Sequence, residues 1–206
     1  MPATTSGTGK KTMKTYLVLL RGINVGGKNK VSMARLRESL QERGFANVST
    51  YIASGNVILD SDRTPREIQA QIEEALPATF ALDSELIRVL VVTRDQLQAI
   101  VDRKPKGFGE RPDTYHSDAI FLIGIDPAKA LLVFDPREGV DDIWPGEGVI
   151  YSQRLSSQRT RSRLNKIVGT PAFQSMTIRN WTTTTKLLEM LTKQTPEPRK
   201  KRANRP

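Results

Sequence analysis

The sequence predicts an α+β fold made of two similar halves, and three observations lead there. Short apolar runs alternate with stretches of helical periodicity. The order strand, helix, strand, strand, helix, strand occurs twice. Turns rich in Gly, Ser, Asn or Pro join the second strand of each set to the third. The chain has 206 residues, which leaves room for two units of ~100.

Thr15 to Leu20 is apolar without alternation, as expected of a strand covered on both faces. Ser32 caps a helix with apolar positions at Met33, Leu36 and Leu40, ending near Gly44. Val48 to Ala53 and Val57 to Asp60 form a hairpin around Ser54-Gly55-Asn56. Thr64-Pro65-Arg66-Glu67 is a capping box with proline at the first helical position, and Ile68, Ile72 and Leu76 make the buried stripe. Leu86 to Val92 is the fourth strand. This is the split-βαβ order of a ferredoxin-like half. Thr93 to Gln96 is another capping box, opening a helix with Leu97, Ile100 and Val101 inside. Residues 103–117, rich in Pro, Gly and charge, read as a linker or mobile flap.

The second half repeats the order. Ala119 to Ile125 is a strand, and Asp126-Pro127 starts a helix through Leu132. Val140 to Trp144 pairs with Val149 to Arg154. Ser162 to Val168 reads as a helix stopped by a left-handed Gly169. Ser175 to Arg179 is a strand, and Trp181 to Leu191 an additional C-terminal helix. The organisation is therefore a tail at 1–13, a first half at 14–93, a helix and linker at 94–117, a second half at 118–192, and a basic tail at 193–206. Both tails read as disordered, with nothing to bury.

Composition narrows the chemistry. With no cysteine, disulfides and thiolate zinc sites are excluded, which fits a cytoplasmic protein. His116 is the single histidine, in a polar stretch with Asp113, Tyr115 and Asp118, so multi-histidine metal sites are excluded. No metal site or cofactor is expected, although carboxylate-bound magnesium is not ruled out. No run approaches the ~20 apolar residues of a membrane span. The net charge is +10, unevenly spread. Residues 148–188 contain no acid and include Arg154, Arg159, Arg161, Arg163 and Lys166. Two readings fit: neutralisation by acids elsewhere in the fold, or a surface for phosphates or nucleic acid.

Three motifs stand out as candidate ligand contacts. Gly22 to Asn29 has the spacing of a phosphate loop, with Gly26, Gly27 and Lys28. However, Asn29 stands where a hydroxyl would hold magnesium, and the β-α-β-β-α-β order is foreign to that fold. What remains is a glycine loop able to approach an anion, helped by Arg21, or a plain crossover. Ser54, Gly55 and Asn56 offer a hydroxyl and an amide, or merely a turn. In Arg179-Asn180-Trp181, Asn180 suits a helix cap and Trp181 the core, which leaves Arg179 unexplained.

The stretches Leu19 to Gly27, Tyr51 to Val57 and Thr177 to Trp181 resemble the signature of a bacterial family, the "domain of unknown function 1697". The resemblance covers about residues 14–192 and implies two ferredoxin-like halves, but no mechanism. The family pattern often has Asn after the Trp, where this chain has Thr182.

The split-βαβ topology brings the end of the first strand beside the turn between the second and third strands. Arg21, Asn24, Gly26, Gly27, Lys28, Ser54 and Asn56 should then share one edge, with Arg21 and Asn56 on one face within ~10 Å. That donor-rich set suits an anionic small molecule, or nucleic acid if the basic segment takes part. A small-molecule enzyme with a cleft between the halves and a non-catalytic interaction module are the alternatives. Aromatic side chains on the second-half strands, Phe121 and Tyr151, are the candidates for stacking on RNA bases, or are core.

Overall fold

The computed structural model describes residues 12–83 and 87–195. The expected tails lie outside this range apart from Thr12, Met13 and Lys193 to Thr195. Eight strands form two four-stranded antiparallel sheets. The first contains β1 (Lys14–Arg21), β2 (Ala46–Tyr51), β3 (Asn56–Ser61) and β4 (Arg88–Thr93), in the order β2-β3-β1-β4. The second contains β5 (Tyr115–Leu122), β6 (Asp141–Gly146), β7 (Val149–Leu155) and β8 (Met176–Asn180), in the equivalent order β6-β7-β5-β8.

Burial on both faces of β1 explains how the sheets are joined. Tyr16, Val18 and Leu20 face α1 (Met33–Glu42) and α2 (Pro65–Thr79) in one core. Leu17 and Leu19, on the opposite face, enter a second core between the two sheets. That middle core also takes Leu97 and Ile100 of α3 (Arg94–Asp102), and Trp181, Leu187, Leu188 and Leu191 of α5 (Trp181–Gln194). From the second sheet it takes Ala119, Phe121, Val149 and Tyr151. The alternate residues Ile120, Leu122 and Ile150 point outward to a third core with Ala130 of α4 (Pro127–Leu131). The layers thus run helix, sheet, helix, sheet, helix.

The expected helix starts are present. Ser32, Thr64 and Thr93 cap α1, α2 and α3, the last two through full capping boxes.

Several expectations need correction. The first strand of the second half begins at Tyr115 and ends at Leu122, so His116 lies in it. β2 stops at Tyr51, because Ile52 turns to φ 49° and leaves the ladder. Between β7 and β8 there is no α-helix. Three 3₁₀ turns, Ser156–Arg161, Leu164–Gly169 and Pro171–Ser175, occupy its place. In this stretch Leu164 and Ile167 are the buried turn residues, and their spacing of three suits a 3₁₀ turn. Gly169 is not left-handed. α5 continues to Gln194, whose Nε2 donates to the Asn47 carbonyl at 2.8 Å and to Asp60 Oδ1 at 3.3 Å. Gln194 therefore docks on the first sheet rather than belonging to a loose tail.

The segment read as a linker or flap inserts Phe108 into the middle core, where it is 1% exposed. Its ring makes edge contacts with Trp144, Tyr151 and Trp181 at centroid distances of 6.1, 5.2 and 5.0 Å. The adjoining Gly109 has φ 72°, and an added Cβ would fall 2.2 Å from Trp181 Cδ1. Glycine there admits the indole.

Two stability predictions follow from this packing. Phe108→Ala should cost about 3–5 kcal/mol in urea unfolding, as for other large-to-small core changes. A loss below about 1 kcal/mol would return the segment to a surface role. Truncation after Thr192 should lower the melting temperature by removing the Gln194 contacts, and an unchanged melting curve would show that this docking contributes nothing.

Candidate functional site

The C-terminal end of β1, the β2–β3 turn and β8 meet at one place, and Arg179 lies at its centre. The residue is 6% exposed. On β8 its side chain leaves the second sheet and crosses to the first. Nε donates to Asn56 Oδ1 at 2.5 Å. One terminal nitrogen donates to Thr177 Oγ1 at 2.9 Å and the Ile178 carbonyl at 2.8 Å. The other donates to the carbonyls of Leu20 at 3.0 Å, Ser54 at 2.9 Å and Gly55 at 3.4 Å. All of these acceptors are neutral. Among the described residues Arg179 makes no ion pair, and burial lowers its guanidinium to about 10.

Asn56, fully buried, completes the junction. Its Nδ2 donates to the Tyr51 carbonyl at 3.0 Å and to Ser54 Oγ at 2.9 Å. Gly55 has φ 77°, and an added Cβ would lie 2.8 Å from Leu20 Cβ. Only glycine lets the turn lie against β1, where the Leu20 N–H reaches the Gly55 carbonyl at 2.8 Å. Asn180 caps α5 by accepting from Thr183 N at 2.7 Å, as expected of it, while Arg179 points away from that helix end.

The glycine loop is closed by its asparagines. Asn24 has φ 53° and Asn29 φ 47°, a region that Asn tolerates. Asn24 Nδ2 donates to the Val31 and Ala53 carbonyls, both at 2.9 Å, and its Oδ1 accepts from Val31 N at 2.8 Å. Asn29 Nδ2 donates to the Gly22 carbonyl at 2.7 Å, and its backbone N to Asp83 Oδ2 at 2.6 Å. Gly26 and Gly27 form the tip of a tight turn, bridged from Val25 to Lys28. α1 starts only at Met33, so the loop does not run directly into a helix as a phosphate loop does. The Asn24 and Asn56 amides therefore serve to tie loops together.

Register places Arg21 and Asn56 on one face of the first sheet. Leu19 is paired with Asn56, and Arg21 is two residues beyond Leu19. Both side chains reach the second sheet's side. Arg21 Nε donates to the Phe173 and Met176 carbonyls at 3.3 and 3.1 Å, and its guanidinium lies 5.2 Å from the Phe173 ring centroid. Burial, and then the cross-strand Arg88, lower the Arg21 pKa.

A cavity of about 330 Å³ opens here. Arg21, Asn24, Ser54 and Arg179 contribute to its lining, and none of the lining residues is acidic. Gly26, Gly27 and Lys28 lie outside it. Sequence reasoning missed Phe173, Met176 and Ile178, which also line it. Their one sequence signal is proximity to Arg179.

The basic segment is largely matched by acids from elsewhere. Arg163 donates to both Asp135 oxygens at 3.1 and 3.2 Å, and Lys166 to Oδ2 at 2.9 Å. Arg154 lies 3.9 Å from Asp118. Arg159 and Arg161 stay on the surface of the first 3₁₀ turn. His116 Nε2 is 3.1 Å from Asp118 Oδ1. Burial raises the Asp118 carboxyl, against the pull of His116 and Arg154. Phe121 and Tyr151 are each 1% exposed, and Tyr151 donates its hydroxyl to the Ile100 carbonyl at 2.7 Å. Both are core, so neither can stack on a base.

Arg179→Met should destabilise the fold by at least about 1–3 kcal/mol, the cost of one stranded buried acceptor, because it removes the donor from several. Arg179→Lys should recover only part of that loss, since an ammonium cannot span both sheets. Equal stability of the lysine variant and the native chain, in denaturant unfolding, would contradict this.

Among the described residues no helix is long and apolar enough to cross a membrane. No functionally curated protein matches the sequence. In fold the chain is similar to the conserved bacterial protein SP0830 from Streptococcus pneumoniae. That similarity has a TM-score of 0.69 and 29% sequence identity, over 87% of this chain and 99% of the other. The family model described as "Protein of unknown function (DUF1697)" matches residues 13–151, two thirds of the sequence, and the chain belongs to that family.

Proposed function

We propose that the protein binds a small molecule carrying a phosphate or carboxylate group in the cleft where β1, the β2–β3 turn and β8 meet. The observation that carries this reading is the lining: among the described residues it has two guanidinium groups and no acidic side chain, around a cavity of about 330 Å³. That volume falls at the lower end of the range for small-molecule sites. Arg179 has its donors engaged and supplies a fixed positive field rather than a contact. Ser54 supplies a donor. Its oxygen accepts from Asn56, and among the described residues its own proton has no acceptor. In this reading each half is ferredoxin-like, the second with 3₁₀ turns in place of the helix between β7 and β8, and the cleft lies between the halves.

Nucleic acid is the second partner class. It is supported by Arg159 and Arg161, which face solvent, and weakened by the pairing of Arg154, Arg163 and Lys166 with acids. The balance favours a ligand of mononucleotide size or smaller.

A thermal-shift series with inorganic phosphate, pyrophosphate and a mixed-sequence oligonucleotide tests the reading. A ligand at 100 times its Kd adds ~2.7 kcal/mol of stability, a readily measured shift. Arg21→Gln and Ser54→Ala should each remove the shift given by phosphate or pyrophosphate, with each ligand-free variant as its own baseline. Shifts that survive both substitutions would move the site elsewhere. A shift from the oligonucleotide alone, lost in Arg159→Gln/Arg161→Gln and steeply salt-dependent, would favour nucleic acid instead.

A further inference from the structure

Several large apolar side chains are exposed among the described residues; two of them line this cleft, and a third lies in the β2–β3 turn that contributes Ser54 to it. Val25, in the glycine loop, is 68% exposed. Ile52, in the β2–β3 turn, is 53% exposed. Ile178, on β8, is 37% exposed. They come from three different elements, so no single amphipathic pattern accounts for them. The Asn24 side chain holds the first two loops together by its bond to the carbonyl of Ala53, the residue after Ile52. Val25 and Ile178 line the cavity itself, and Phe173 supplies an aromatic wall under the Arg21 guanidinium.

Ile52 adds an independent observation. It is β-branched yet sits at φ 49°, where its side chain crowds the backbone. Asn or Gly would take that conformation with far less strain. A strained backbone holding an exposed apolar side chain at a site's edge is the arrangement expected of a ligand clamp.

We infer that the ligand of this cleft is amphipathic: one anionic group held near Arg21 and Ser54, joined to an aromatic or branched aliphatic body that packs on Val25, Ile52, Phe173 and Ile178. This rests on the anion-binding reading above and adds the second half of the molecule. The Arg21 guanidinium over the Phe173 ring sets charge and aromatic carbon side by side in the lining. Inorganic phosphate fills only the charged end of the cleft and leaves the apolar surface wet.

Calorimetric titration of the full chain with phenyl phosphate, inorganic phosphate and phenol separates the two parts. Phenyl phosphate should bind at least about tenfold more tightly than inorganic phosphate, a modest return for covering an aromatic ring. In the double variant Val25→Ser/Ile178→Ser that ratio should fall toward one. Both side chains are exposed, so the variant is expected to fold, and its melting curve checks this. Ile52→Asn should keep or raise the melting temperature while weakening phenyl phosphate. Equal affinities for phosphate and phenyl phosphate would overturn the amphipathic ligand and leave the anion site standing. Phenol binding as tightly as phenyl phosphate would overturn the anion site instead. Absence of binding by all three would overturn both. Self-association in sedimentation that Val25→Ser abolishes would assign the patch to contact between copies and overturn the proposal.

Discussion

A buried guanidinium holds the two sheets of this protein together. Arg179 belongs to the second sheet, yet most of its partners are in the first: Asn56 and the carbonyls of Leu20, Ser54 and Gly55. A planar fork of five N–H donors is well suited to satisfy so many acceptors at once. The guanidinium adds donors to the carbonyls of Leu20, Ser54 and Gly55, the last of which also accepts from the Leu20 N–H. The cation gains a shell of dipoles but no counter-charge, and its lowered pKa records the cost of burial. The β2–β3 turn, the end of β1 and β8 are all positioned by this one side chain, and with them the walls of the cleft.

The middle core makes the same junction extensive. Side chains from both sheets, α3 and α5 share it, and Phe108 enters it from the connecting segment. Each sheet therefore leaves one apolar face uncovered without the other. The glycine loop and the β2–β3 turn carry the exposed Val25 and Ile52, whereas Arg179 and Asn56 beneath them are buried.

Charge follows a similar logic. The acid-free stretch from 148 to 188 looks strongly basic as a string, but Asp135 and Asp118 meet three of its cations in space. Pairs of this kind at the surface contribute little to stability. Their effect is to leave Arg159 and Arg161 as the exposed remainder of what reads as a long basic run.

The sequence by itself determined the strands, the capped helices and their order. These depend on neighbours: apolar runs of strand length, Thr-x-x-Glu and Thr-x-x-Gln boxes, and an Asn before the last helix. It also brought Arg21, Asn24, Ser54 and Arg179 to attention, through their position at strand ends and turns. Tertiary structure alone decided what those groups do. The Asn24 and Asn56 amides bind loops, and Arg179 bridges sheets, because their acceptors lie far away in sequence and are brought close only by folding. Three 3₁₀ turns stand where a helix was expected: Leu164 and Ile167, three residues apart, are their buried positions, and Ile167 joins the third core, with Ala172 and Phe173 packed against it. Phe108 was invisible as a core residue because its loop is polar and glycine-rich, and the cavity between Trp144, Tyr151 and Trp181 exists only once both sheets are in place.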